Sequence, residues 1–131
     1  MTARIISGTD TARQNREELK AEIEELINLH NIVPGLATII VGDDPASQTY
    51  VGAKIKACQL LGIYSTNYPM PESTSEDELL SLVAKLNNDP KIHGILVQVP
   101  LPKCIDEGRV LMAISPDKDV DGFHPMSVGR M

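Results

Sequence analysis

Four stretches of the chain read as helices, and three short apolar runs between them read as strands. In "DTARQNREELKAEIEELINLHNI", Leu19, Ile23, Leu26 and Ile27 recur at helical spacing among charges. Thr9 or Asp10 stands where a cap would sit, and Pro34 and Gly35 where the helix would stop. "LATIIVG" reads as a strand buried on both faces. Asp43 or Asp44 is placed to cap a second helix, with Pro45 in its first turn. That helix runs to about Leu61 and ends at Gly62. "IYSTNYPM" is a weaker strand. "TSEDELLSLVAKLNND" predicts a helix with Ser75 as cap, Glu78 completing a capping box, and a stripe of Leu79, Leu82, Val83 and Leu86. "KIHGILVQVPLP" is a buried strand broken by prolines, expected to be central in its sheet. "DEGRVLMAISP" is a fourth helix, and "DKDVDGFHP" a loop.

This order, one helix and then strands alternating with helices, predicts an α/β domain. The expected architecture is a three-layer α-β-α domain with a mostly parallel sheet, preceded by a long N-terminal helix. Ligands in such folds bind beyond the carboxyl ends of the strands. Three places therefore matter: "GDDPAS" with its helix, the loop after the second strand, and "QVPLP".

Length and charge narrow the function classes. The 131 residues suit one domain with its own core. A net charge of −6, no basic run and few aromatics argue against nucleic acid and against an anionic membrane surface. Cys58 and Cys104 form no CxxC, and His30, His93 and His124 are scattered, so no metal site is predicted. No apolar run approaches membrane-spanning length, and "MTARIISG" has neither a signal-peptide core nor a transit-peptide character. The expected location is cytoplasmic.

The candidate chemistry lies in three motifs. Tyr50 and Lys54 are four apart on the second helix and share a face, whereas Lys56 is turned away from Lys54. A partly desolvated lysine near strand ends is suited to move protons. A surface lysine beside a half-buried tyrosine is the ordinary alternative. Gln98 ends an apolar strand, where its amide needs a partner. That partner is either neighbouring backbone or a ligand. Pro100 and Pro102 stiffen the exit. "DKDVDG" opens like a calcium loop at Asp117, Asp119, Asp121 and Gly122, but Val128 occupies the position that needs a bidentate Glu. It reads instead as an acidic turn, with one carboxylate available to accept N–H groups from a ligand. No Gly-rich nucleotide loop is present. A receiver-domain reading fails because the third strand ends in Gln98-Val99-Pro100, with no acceptor Asp.

Three blocks together, "VGDDPASQTYVGAKIKACQLLGI", "GILVQVPLP" and "SPDKDVDGFHPMSVGRM", closely resemble the N-terminal domain of bifunctional methylenetetrahydrofolate dehydrogenase/methenyltetrahydrofolate cyclohydrolase. The resemblance covers residues 1–131 in the family's order. It implies a folate substrate and NADP, the latter bound mainly by a C-terminal Rossmann domain absent from this chain. Lys54 matches the catalytic lysine, Gln98 the glutamine that supports it, Tyr50 the ring that orients the folate, and Asp121 the carboxylate that binds the pterin. Ser47 and Pro100 join Tyr50, Gln98 and Asp121 in the implied folate-contacting set, and Asp119 is implied to be structural.

Ser127 stands where the family commonly has Asn, and it remains able to cap a following helix. The end at Met131 reads as a domain-length piece. The full-length enzyme is expected to be a homodimer formed chiefly through the missing domain, which leaves the fragment free to be monomeric. The other function class compatible with these residues is a non-catalytic, folate-binding or regulatory α/β domain.

Overall fold

The computed structural model describes residues 2–131. Its elements follow in the order α1 (Gly8–His30), β1 (Gly35–Val41), α2 (Pro45–Leu61), β2 (Tyr64–Met70), α3 (Glu76–Asn87), β3 (Gly94–Val97), α4 (Glu107–Ala113), a short 3-10 turn (Pro116–Lys118) and α5 (Pro125–Arg130). The three strands form one parallel sheet in the order β2-β1-β3. β1 is therefore the central strand, not β3. Apolar runs of similar length look alike in sequence, and only their pairing decides which one lies inside. β1 is the strand that pairs along both edges.

The alternation of β1 separates two layers of helices. Ala37, Ile39 and Val41 join Ile95 and Val97 of β3, Leu79, Val83 and Leu86 of α3, and Val110 of α4 in one buried cluster. Side chains in between point the other way, where Thr38 and Ile40 are buried and α1 and α2 pack. Each fully buried Ile or Leu of such a core stabilises the fold by roughly 1.5–3 kcal/mol. This is the three-layer α-β-α arrangement.

The caps explain the element ends. Ser7, rather than Thr9 or Asp10, caps α1: its hydroxyl accepts from the Asp10 backbone N–H at 3.3 Å. Asp10 instead places its carboxylate in the positive first turn. Asn31 ends α1 in the left-handed conformation, three residues before Pro34. The α1 stripe is only partly covered, with Ile23 buried and Leu19 47% exposed. A 23-residue helix is about 35 Å long, longer than the 17-residue α2 it packs against. In α3 the capping box forms as predicted, with Ser75 and Glu78 exchanging side-chain-to-backbone bonds. α5 is capped by His124, whose Nδ1 accepts from the Met126 N–H at 3.1 Å. Ser127 lies inside that helix and is not its cap, because Pro125 occupies the first helical position.

Gly35 opens β1 where the chain passes close to the α3–β3 connection. A Cβ at this position would overlap the Lys91 carbonyl. The Gly35 N–H donates to His93 Nδ1 at 2.9 Å, which ties the starts of β1 and β3 together.

Candidate functional site

All three loops singled out by the strand-end rule meet around one cleft. Val41 at the end of β1, Gly42, Asp43 and Asp44 just beyond it, Glu72 after β2, and Pro100, Leu101 and Pro102 after β3 line a space of about 350 Å³. Glu72 carried no periodic or motif signal, so sequence reasoning missed it. A larger cavity of about 570 Å³, lined by Ile32, Tyr64, Lys91 and His93 among others, opens at the strands' amino ends. It is at the wrong end for the chemistry of a parallel sheet.

The start of α2 is held by one carboxylate. Asp44 accepts from both the backbone N–H and the hydroxyl of Ser47, each at 2.9 Å. The backbone bond and then the hydroxyl bond hold the Asp44 carboxyl below its usual range. Ser47 is 4% exposed and its hydroxyl is committed to this cap. From this anchored start, Tyr50 projects with 62% of its surface exposed. Lys54 follows one turn later and is partly buried, while Lys56 is exposed.

Lys54 and Gln98 come together. The lysine Nζ donates to Gln98 Oε1 at 3.1 Å. The Gln98 backbone N–H donates to Ile39 O at 2.8 Å, so the residue is still tied to the central strand. Its side-chain Nε2 donates to Val99 O at 3.3 Å. Neighbouring backbone thus takes the amide's donor end, and its acceptor end faces the lysine. Two residues further on, exposed Pro100 enters the cleft across a cis Val99–Pro100 peptide. Leu101 is buried, and its N–H donates to Glu107 Oε2 at 3.2 Å, which fastens this exit to α4.

Asp121 approaches from the loop after the 3-10 turn and is exposed at its edge. Loss of hydration where the loop backs onto the protein pushes its carboxyl above the usual range. The Lys54 ammonium pulls it down, and the Asp119 carboxylate pushes it up again. Lys54 and Asp121 are thus electrostatic neighbours. The ion pairs among the described residues, Arg13–Asp10 and Arg109–Glu76, lie elsewhere. Asp119 is bonded to backbone instead, with its two oxygens accepting from the N–H groups of Gly122 and His124 at 3.1 and 2.9 Å. Among the described residues, no group of three or more His, Cys, Asp or Glu side chains is disposed to hold a metal ion, and no helix is long and apolar enough to cross a membrane.

This arrangement offers a proton-carrying amine, an amide that orients it, an aromatic ring free for stacking, and a carboxylate facing outward. Known proteins share the whole framework. A bacterial protein of Dehalococcoides mccartyi, "Bifunctional protein FolD", is 62% identical over all 131 residues, which is 44% of its own length. The crystal structure of the bifunctional enzyme FolD from Campylobacter jejuni is 48% identical, with a TM-score of 0.89 over 92% of this chain and 42% of that one. That of Trypanosoma brucei methylenetetrahydrofolate dehydrogenase-cyclohydrolase, complexed with NADP cofactor and inhibitor, is 36% identical, with a TM-score of 0.91 over 99% of this chain and 44% of that one. The chain thus spans somewhat less than half the length of these relatives. The family pattern described as "Tetrahydrofolate dehydrogenase/cyclohydrolase, catalytic domain" matches residues 6–121, and the chain belongs to that family.

Proposed function

We propose that this chain carries the folate site of an enzyme of one-carbon metabolism. That enzyme oxidises methylenetetrahydrofolate to the methenyl cation with NADP⁺ and hydrolyses the cation to formyltetrahydrofolate. The observation that carries the reading is the 3.1 Å bond between Lys54 Nζ and Gln98 Oε1 at the carboxyl end of β3.

The hydrolytic half follows from groups on this chain. The methenyl carbon is already electrophilic, so no nucleophilic side chain is required. Lys54 in its amine form takes a proton from water as the water oxygen bonds to that carbon. The resulting ammonium then returns a proton to one ring nitrogen as its bond to carbon breaks. The hydroxyl of the adduct releases its proton to solvent and becomes the formyl carbonyl. Gln98 keeps amine and oxygen in line, a large share of such a barrier. Tyr50 offers its ring to the folate, and Asp121 accepts from pterin N–H groups, a charge-assisted contact that sets register. Pro100 lines the strand-end cleft two residues beyond Gln98. Ser47 serves this site through the Asp44 cap that aims α2.

The chain's own residues do not fit a dinucleotide. The β1–α2 turn, where a pyrophosphate would lie on a helix N-terminus, carries Asp43 and Asp44, and the Asp44 carboxylate already takes the Ser47 N–H. The hydride-accepting half of the activity belongs to a separate NADP-binding Rossmann domain, for which the relatives' greater length leaves room. Dimerisation of the full enzyme is assigned to that domain. Free thiols at Cys58 and Cys104 support a cytoplasmic setting.

The test is hydrolysis of methenyltetrahydrofolate, followed as loss of its absorbance. The sample is this chain grafted in place of the matching residues of the Dehalococcoides mccartyi relative. Turnover supports the proposal; a graft that binds the folate without turnover leaves a binding domain only.

A further inference from the structure

Asp121 has no regular secondary structure to hold it. It lies two residues after a single bridge residue and precedes Gly122, whose φ of +70° suits glycine. Yet a pterin-binding carboxylate must keep a constant distance from the reacting centre. Asp119 supplies what the loop lacks. Its backbone makes a parallel bridge to Ile95, in the strand that reaches Gln98 three residues later. Its side chain reaches forward around Asp121, with Oδ1 accepting from the Gly122 N–H and Oδ2 from the His124 N–H. Just before it, Lys118 Nζ donates to Leu86 O at 3.1 Å and Asp89 O at 2.9 Å, which anchors the loop to the end of α3. The acidic run "DKDVDG" is therefore a backbone brace, not a cation loop.

We infer that Asp119 is a positioning residue, which holds Asp121 in register with Gln98 so that pterin and reacting carbon are presented together. This rests on the reading of Asp121 as the pterin partner. Asp119 makes no claim on the substrate itself; it acts on the residue two positions ahead. Both carboxylate oxygens are engaged, one with each N–H group. An Asn would keep one acceptor and set its amide N–H₂ against the other donor.

The test has two readouts on the full 131-residue chain, each for wild type, Asp119→Ala, Asp119→Asn and Asp121→Asn, with Asp119→Ala/Asp121→Asn as the double variant. NMR reads the amides of residues 120–124 and of β1 and β3. Calorimetry reads the affinity for folinic acid. Asp119→Ala is expected to leave the β1 and β3 amides in place and to shift or broaden those of 120–124. It should also weaken folinic acid binding at least about tenfold, the scale of a misplaced contact. In the Asp121→Asn background the same change should cost nothing further, because its effect passes through Asp121. An equal loss in both backgrounds, or undisturbed 120–124 amides, overturns the inference. Should Asp119→Ala disturb the sheet, Asp119→Asn decides, with one of the Gly122 and His124 amides expected to move because it loses its acceptor; unmoved amides there overturn it. Wild-type affinity in Asp121→Asn would refute the pterin reading alone, and the amide signals would still decide whether Asp119 braces the turn.

Discussion

Lys54 donates its Nζ to the side-chain oxygen of Gln98, 44 residues away, at 3.1 Å. The two arrive from different layers. Lys54 comes from a helix whose start is locked by Asp44, and Gln98 from a strand end still bonded to the central strand. Neither residue has to reorganise to meet the other, so the amine is presented in one direction. Replacing Gln98 with Ala in the grafted enzyme is expected to lower kcat for methenyltetrahydrofolate hydrolysis roughly a hundredfold, with a smaller change in KM. Steady-state kinetics checks it. A change confined to KM would mean that Gln98 binds folate and does not align the lysine.

Asp121 gives a prediction in pH. Desolvation, the largest cause, raises its carboxyl above the usual range, with Lys54 opposing and Asp119 adding. A carboxyl whose folded value is raised favours the fold most when protonated, below its unfolded value, and loses that contribution as pH rises through the folded value. At neutral pH, ionised Asp121 is thus a burden on the unliganded chain. Asp121→Asn should raise Tm at pH 7 and bring no gain well below the carboxylate range. Thermal melts across pH measure this; a Tm lowered by the substitution at neutral pH would contradict it.

Two glycines separate packing from propensity. Gly35→Ala should destabilise by about 1–3 kcal/mol, because the new Cβ meets rigid backbone at Lys91. Gly52, inside α2, has open space at its Cβ, so Gly52→Ala should stabilise by about 0.5–1 kcal/mol. Denaturant midpoints of the two variants should move in opposite directions.

Much of this architecture was legible in the sequence, and the illegible parts share a cause. The capping box of α3, the Asp44 cap and the Gly62 stop are local, so residue spacing reveals them. The shared face of Tyr50 and Lys54 is local too. Strand order is not: β1 is central because of pairings made across the chain, and three apolar runs give no hint of it. The exposed half of the α1 stripe depends on how far α2 reaches along it. Gln98 could be judged only as an amide in need of partners, and it found both kinds, backbone at one end and Lys54 at the other. "DKDVDG" misleads for the opposite reason. A regular spacing of carboxylates suggests a cation, whereas one of them is occupied with backbone N–H groups.

The proposed function stands or falls on Lys54 as the carrier of the protons of hydrolysis. Lys54→Met in the grafted enzyme isolates that role, because it keeps the unbranched stem of the side chain and removes the amine. Folinic acid binding is measured beside methenyltetrahydrofolate hydrolysis. Hydrolysis is predicted to fall to the uncatalysed rate while binding persists. Hydrolysis at the unsubstituted rate in Lys54→Met would show that the protons travel by another route.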